Sequence, residues 1–194
     1  MLKLDHRIII LYLISLLLSG PSILPAENAA VFHTLNLAGD IQFNLNRNEF
    51  HNYWRPGKGL GAEIETTYYV GHLIAGSQII SYLGRSDYPA FKGLFVYAGW
   101  GLAKPLGRNS RVSSAILLGN ELMLFEIGPG EVRESELQMG LSVKATTSLN
   151  GRLAAHVTYS RLLLLTHRRI VRDFVGLGLD YTMKTPQWLQ NLLR

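Results

Sequence analysis

The sequence predicts an all-β chain in which eight antiparallel strands, connected up and down, close into a small barrel. Three observations carry that expectation. Several stretches alternate apolar with polar or small residues at the two-residue period of a half-buried strand. The segments between candidate strands alternate between short and long along the chain. Finally, the chain has 19 glycines, only 17% charged residues and no cysteine. Without disulfides, a small domain outside the cytoplasm needs another form of closure, and a sheet hydrogen-bonded to itself provides one. The absence of Cys also removes thiolate metal sites and thiol nucleophiles. A length of 194 residues suits one domain.

The N-terminus carries an address. Met1 to Arg7 is a short basic start, Ile8 to Leu18 is uncharged and mostly apolar, and Ser19-Gly20-Pro21-Ser22 breaks the run before small residues at Ala26, Ala29 and Ala30. This is the order of a secretory signal peptide. The apolar run is too short for a spanning helix, which needs about 20 residues. The expected division is a signal peptide over 1–30 with cleavage near 26–30, a barrel over 31–184 and a tail over 185–194. The net charge of +5 is spread without a dominant block. Nucleic-acid binding, which uses a clustered basic face, is therefore not expected.

Four strands are plain. The first sets Leu35, Leu37, Gly39, Ile41, Phe43 and Leu45 against Asn36, Ala38, Asp40, Gln42 and Asn44. The second sets Leu60, Ala62, Ile64, Thr66, Tyr68 and Val70 against Gly61, Glu63, Glu65, Thr67 and Tyr69. The sixth has Leu137, Met139, Leu141, Val143 and Ala145 opposite Glu136, Gln138, Gly140, Ser142 and Lys144. The last has Val175, Leu177, Leu179, Tyr181 and Met183 opposite Phe174, Gly176, Gly178, Asp180 and Thr182. Weaker segments near 73–83, 91–103, 110–124 and 151–164 complete the set, with the phase open at 73–83 and 110–124. Strands of roughly 11 to 15 residues suit a membrane crossing, which takes about 9–11 residues; soluble strands run about 5–6. The connections read long (46–58), tight (71–72), medium (84–90), medium (104–109), long (125–135), tight (Asn150-Gly151) and medium (165–170). Outer-membrane barrels place short turns inside and longer loops outside. With the N-terminus inside, the order fits except at 104–109.

Which face meets lipid follows from the polar face. It is rich in Gly, Ala, Ser and Thr, as a narrow interior requires. Its few charges are of both signs: Asp40, Glu63, Glu65, Lys144, Arg152, His156 and Asp180 are expected to form an interior charge network. Tyr68, Trp100 and Tyr181 share the apolar face near the inner ends of their strands, where an aromatic girdle belongs. The opposite arrangement, with the polar face in water and a ligand inside, would make a soluble periplasmic lipocalin-like carrier.

On this pattern the chain resembles the small eight-stranded bacterial outer-membrane barrels over residues 32–183. The segment Phe174-Val-Gly-Leu-Gly-Leu-Asp-Tyr181 looks like the terminal strand that the barrel-assembly machinery recognises, with Gly176, Leu179 and Tyr181 at the expected spacing. Phe174 stands where a polar residue is usual, and the chain continues past this strand. The resemblance implies an outer-membrane location in a Gram-negative-type bacterium, a monomer, and outer-membrane lipid and lipopolysaccharide as partners. In the extension, Thr185 can cap a helix with Pro186 in its first turn. Trp188, Leu189, Leu192 and Leu193 would then share a face that could lie on the inner leaflet.

Chemical signals are sparse. None of the histidines (His6, His33, His51, His72, His156, His167) stands at metal-ligand spacing, so neither a metal nor a cofactor is expected. Glu63 and Glu65 project to one side roughly 7 Å apart and are expected to pair with Lys144 or Arg152. The segment Arg152 to Ser160 is faintly similar to lipid A deacylase barrels, where a strand carries His and Ser two positions apart. Here Thr158 follows His156, making these two the catalytic candidates, while Ser160 lies roughly 13 Å along the strand. Thr166-His167-Arg168-Arg169 with Arg172 is the densest basic run, and Arg168, Arg169 and Arg172 are expected to contact phosphorylated lipid headgroups. Phe50, His51, Tyr53, Trp54 and Arg55 give the first loop a composition suited to binding. The functional expectation is a non-enzymatic barrel with a structural, adhesive or envelope-stabilising role and no wide pore. A lipid A-modifying hydrolase and the lipocalin-like carrier are the alternatives.

Overall fold

The computed structural model describes residues 31–45, 50–127, 130–165 and 170–193. The expected signal peptide, Arg168 and Arg169 lie outside the described residues. Eight strands, β1 (Thr34–Asn44), β2 (Lys58–Thr67), β3 (His72–Tyr82), β4 (Phe91–Leu106), β5 (Ser110–Ile127), β6 (Gly130–Ser148), β7 (Leu153–Leu164) and β8 (Ile170–Lys184), each pair antiparallel with the next. β8 pairs with β1, and the barrel is closed. Two short helices accompany it, α1 (Phe50–Tyr53) and α2 (Gln187–Leu193).

The register fixes the shape. From Leu35 the ladder passes through Thr66, Leu73, Trp100, Ile116, Leu141, Arg161 and Asp173. It returns to β1 at Leu45, whose amide donates to the Asp173 carbonyl at 2.8 Å. The circuit therefore climbs from Leu35 to Leu45, which for eight strands corresponds to a tilt of about 40°. A barrel this narrow is filled mostly by its own side chains, with a small cavity lined by Asp40, Lys144 and His156.

Alternation sorts the residues as the sequence suggests. Leu37, Ile41, Leu60, Ile64, Leu137, Leu141, Leu177 and Leu179 are exposed on the outside, while Asn36, Gln42, Glu65, Gln138, Lys144 and Asp180 are buried inside. An apolar belt of this extent would drive aggregation in water and is the outer surface of a membrane barrel. The two undetermined phases resolve as well. β3 turns His72, Ile74, Gln78, Ile80 and Tyr82 inward; β5 turns Ser113, Ala115, Leu117, Glu121 and Met123 inward.

Two connections differ from expectation. The segment expected as a long loop over 125–135 is mostly ladder, because β5 and β6 stay paired out to Ile127 and Gly130. β7 pairs with β6 from Gln138 onward and the Leu165 amide donates to the Leu137 carbonyl at 3.0 Å, so residues 130–136 of β6 extend beyond the described part of β7. The inner connection at 104–109 is tighter than expected, since Leu106 pairs with Ser110 and Gly107 makes the turn at φ 78°. That left-handed conformation suits glycine. In the β6–β7 turn the Asn150 side-chain oxygen accepts the amides of Arg152 and Leu153 at 2.9 and 2.8 Å.

Candidate functional site in the barrel interior and at its outer rim

The inner half of the interior is a charge cluster. Lys144 Nζ lies 2.5 Å from Glu63, 3.5 Å from Glu65 and 3.8 Å from Asp180. Arg111 reaches Glu65 at 3.2 Å. His156 Nδ1 is 3.1 Å from Asp180, and its Nε2 is 3.9 Å from Asp40. Gln42 donates to Asp40 at 3.1 Å, and Tyr97 donates to Glu63 at 3.1 Å. Asp40, Glu63, Glu65, Lys144, His156 and Asp180 thus come together from five strands. Carbon neighbours around such groups give little screening, so each charge depends on its partners.

Arg152 is not part of this cluster. It is exposed in the β6–β7 turn, because the tight turn at Asn150-Gly151 carries it past the barrel end. Arg111, on the strand whose phase the alternation left open, supplies the second cation. Thr158 lines the same interior cavity as His156. A His–Thr pair inside the wall cannot reach an acyl chain outside it, and Asp180 already engages the imidazole. Ser160 is also buried inside. Among the described residues no group of three or more His, Asp or Glu is placed to hold a metal.

The outer half is built differently. Arg172 was expected at the rim against lipid headgroups, but it is 2% exposed and points inward. β8 begins at Ile170, so the inward positions run Arg172, Phe174, Gly176. The guanidinium pairs with both oxygens of Glu121, donating from Nη1 at 3.0 Å, and also donates to the Tyr82 hydroxyl at 3.3 Å. It lies over the rings of Tyr82 and Phe174 at 5.8 and 5.9 Å. The buried apolar cluster of this half also includes Phe95, Leu162, Leu164 and Met123.

The first loop closes this layer from above. Phe50 of α1 is buried edge-on against Tyr82 at 5.1 Å, and Tyr82 stacks on Phe91 at 4.6 Å. Trp54 packs on Phe91 and donates its indole N–H to the Pro89 carbonyl at 2.9 Å. Residues 53–55 also form a short antiparallel contact with 83–85: Trp54 bridges Gly84, the Arg55 amide donates to Leu83 O at 2.9 Å, and the Arg85 amide donates to Tyr53 O at 2.8 Å. The two outer loops are joined into one body. His51 sits in it with both ring nitrogens enclosed and without hydrogen-bond partners. Burial, with the Arg85 charge nearby, holds its imidazole below the ordinary histidine range.

Tyr68, Trp100 and Tyr181 lie on the outward face, 36–42% exposed. The Trp100 indole donates to the Val70 carbonyl at 3.2 Å, which leans the ring toward the inner turn. Trp188 of α2 is exposed.

Closure, register, an apolar exterior and an ion-paired interior decide the architecture. The fold is that of the small eight-stranded outer-membrane barrels. Three solved structures share it. Neisserial surface protein A aligns over 77% of this chain and 96% of its own at 11% identity, with a TM-score of 0.55. The N-terminal β-barrel domain of Pseudomonas aeruginosa OprF aligns over 79% and 99% at 9% identity, TM-score 0.54. Ail, the attachment invasion locus protein of Yersinia pestis, aligns over 78% and 99% at 9% identity, TM-score 0.55. No protein-family model and no curated protein sequence matches the chain. At these identities the likeness is one of fold.

Proposed function

We propose that this chain is delivered by an N-terminal signal peptide to the outer membrane of a Gram-negative-type bacterium. There it works as a closed, non-enzymatic, monomeric barrel with an adhesive or envelope-stabilising role. Insertion would use the barrel-assembly machinery, with the β8 segment as its recognition strand. The observation that carries the proposal is the filled interior. Ion pairs occupy the inner half, packed aromatics occupy the outer half, and Phe50 sits on top. Work for the cell is thereby left to the outer surface.

That surface includes the hydrogen-bonded segments 53–55 and 83–88, with Tyr53, Tyr88, Arg55 and Arg85. Tyr53 and Tyr88 contact edge-on at 4.7 Å, and Tyr88, Arg55 and Arg85 are exposed. Aromatic faces and arginine forks together suit binding of acidic carbohydrate. A structure of Ail in complex with the heparin analogue sucrose octasulfate, similar to this chain with a TM-score of 0.52, gives an instance of a polyanion bound by a barrel of this fold.

Envelope fractionation with heat-modifiable gel mobility tests the location, and single-channel recording in planar bilayers tests the closed interior. The expected result is an outer-membrane fraction, a faster-migrating unheated band and no steady conductance. A soluble periplasmic protein, or a stable open channel, would overturn the proposal.

A further inference from the structure

Charge is segregated along the barrel. At the outer end exposed acids stand among the cations: Asp87, Glu126 and Glu134 with Arg55, Lys58, Arg85 and Lys92. At the inner end Arg108, Arg152 and Lys184 are exposed, and among the described residues no exposed Asp or Glu accompanies them. The carboxylates of the adjoining interior, Glu65 and Asp180, are buried and already paired with Lys144, Arg111 and His156. None of the three exposed cations has a side-chain ion pair with a described residue.

The three cations form one arc. The β4–β5 turn that carries Arg108 is bonded to the end of β6, where the Ser148 amide donates to the Asn109 carbonyl at 2.7 Å. The β6–β7 turn that carries Arg152 is bonded to β8, where the Thr182 amide donates to the Arg152 carbonyl at 2.8 Å. Lys184 follows two residues on, opposite Thr34 of β1. Neighbouring strands lie about 4.8 Å apart, so the arc spans roughly 15 Å, too wide for one small anion. Two of its members belong to the mouth, not the wall. Leu153 pairs with Tyr181, which sets Arg152 level with Thr182, and the Thr182 hydroxyl donates inward to Asn36 at 2.7 Å. Lys184 shares the strand phase of Asp180 and Thr182, the phase that faces the barrel axis and not the surrounding lipid. Like charges this close repel within a screening length of about 8–10 Å. A cluster without its own counter-charge suits a polyanion that supplies one.

We infer that Arg108, Arg152 and Lys184 form a docking surface for a carboxylate-bearing polymer on the periplasmic side, the acidic glycopeptide of the cell wall. The inference rests on the outer-membrane location proposed above, which places this end in the periplasm, and it gives the envelope-stabilising role a partner. The spread of the arc favours a chain of repeated charges, which can meet all three cations at once. The axial phase of Arg152 and Lys184 favours a ligand below the mouth over headgroups beside the wall.

The test sediments the full mature barrel, in micelles of uncharged detergent, with purified insoluble cell-wall sacculi. Wild type is expected to pellet with them at low salt and to be released by about 0.5 M sodium chloride, where screening is strong. The triple variant Arg108→Gln, Arg152→Gln, Lys184→Gln should lower the pelleted fraction about fivefold or more. The charge-keeping triple Arg108→Lys, Arg152→Lys, Lys184→Arg should retain binding. Lys58→Gln, Lys92→Gln, Arg133→Gln at the outer end should leave it unchanged. Sacculi whose carboxyls are converted to neutral amides should not bind. No pelleting of wild type, equal pelleting of the two glutamine triples, or undiminished binding to amidated sacculi would each overturn the inference. So would complete displacement by an equimolar short-chain anionic phospholipid, which would assign the arc to headgroups. If the inner glutamine triple fails to fold, judged by heat-modifiable mobility, Arg152→Gln with Lys184→Gln carries the comparison. Fractionation reports separately on the membrane location, so the two failures are distinguishable.

Discussion

The inner and outer halves of this interior solve the same problem by different means. Both must fill a narrow tube with side chains from eight strands. The inner half does so with a network in which Lys144 faces three carboxylates and His156 faces two. The outer half buries a single ion pair, Arg172 with Glu121, inside a packed aromatic core. In the network Lys144, Glu65, His156 and Asp180 each face two or more opposite charges, whereas in the core Arg172 and Glu121 form one ion pair. The outer pair should therefore break in a simple, reciprocal way, and the inner network should not.

The largest effect is expected at Lys144. Lys144→Met leaves Glu63, Glu65 and Asp180 facing one another, and loss of a buried partner costs about 3–5 kcal/mol. Arg152→Met, outside the network, should shift stability by less than about 0.5 kcal/mol. Urea titration of folded fraction in lipid vesicles measures both, and similar losses would put Arg152 back among the interior charges.

Arg172→Met comes next. It should cost nearly as much, again about 3–5 kcal/mol, but the double variant Arg172→Met with Glu121→Gln should recover most of it. No comparable single rescue is expected for Lys144→Met. A rescue in the inner half, or none in the outer half, would erase the distinction.

Phe50→Ala removes the ring that seats the first loop, a loss of up to about 3 kcal/mol for a buried aromatic at a rim. Because the strands stay paired, the loss should appear locally: protease cuts the loops near residues 53 and 85 while the barrel keeps its heat-modifiable mobility. Global unfolding would mean that the loop is part of the barrel's own stability.

The smallest effect is a pH dependence of the same cap. His51 has its imidazole held below the ordinary value of 6.5 in the folded protein. Protons therefore bind the opened loop more readily than the closed one. Cap stability is full above about pH 6.5 and declines as pH falls below it, with the inner barrel unaffected. Trp54 fluorescence against pH should report the change, and His51→Gln should remove it. A rise in cap stability on acidification would reverse the assigned sign.

The same contrast explains what the sequence made legible. β1, β2, β6 and β8 border the charge cluster, where inward residues are polar and outward ones apolar, so period two is clean. Asp40, Glu63, Glu65, Lys144, His156 and Asp180 could be assigned together for that reason. Near the outer end the interior is itself apolar, and the alternation fades. In β5, Ile116, Leu117 and Leu118 are all apolar although only Leu117 is inside. That ambiguity along β5 hid Glu121 toward the outer end and Arg111 at the inner end as interior charges. Arg172 was misplaced because it follows a basic run in sequence, and sequence proximity outweighed strand phase. Arg152 was misplaced because the alternation continues past a turn that ends the barrel. The loop weld carried no period at all; Phe50 and Trp54 could be flagged as aromatic, but their landing place depends on β3 and β4.

The unequal strands give the molecule a slanted mouth. With residues 130–136 of β6 extending beyond the described part of β7, a tilted strand lifts that side by roughly 18 Å over its last described pairing with β7. Molecules arriving from the medium meet that raised β5–β6 ladder first.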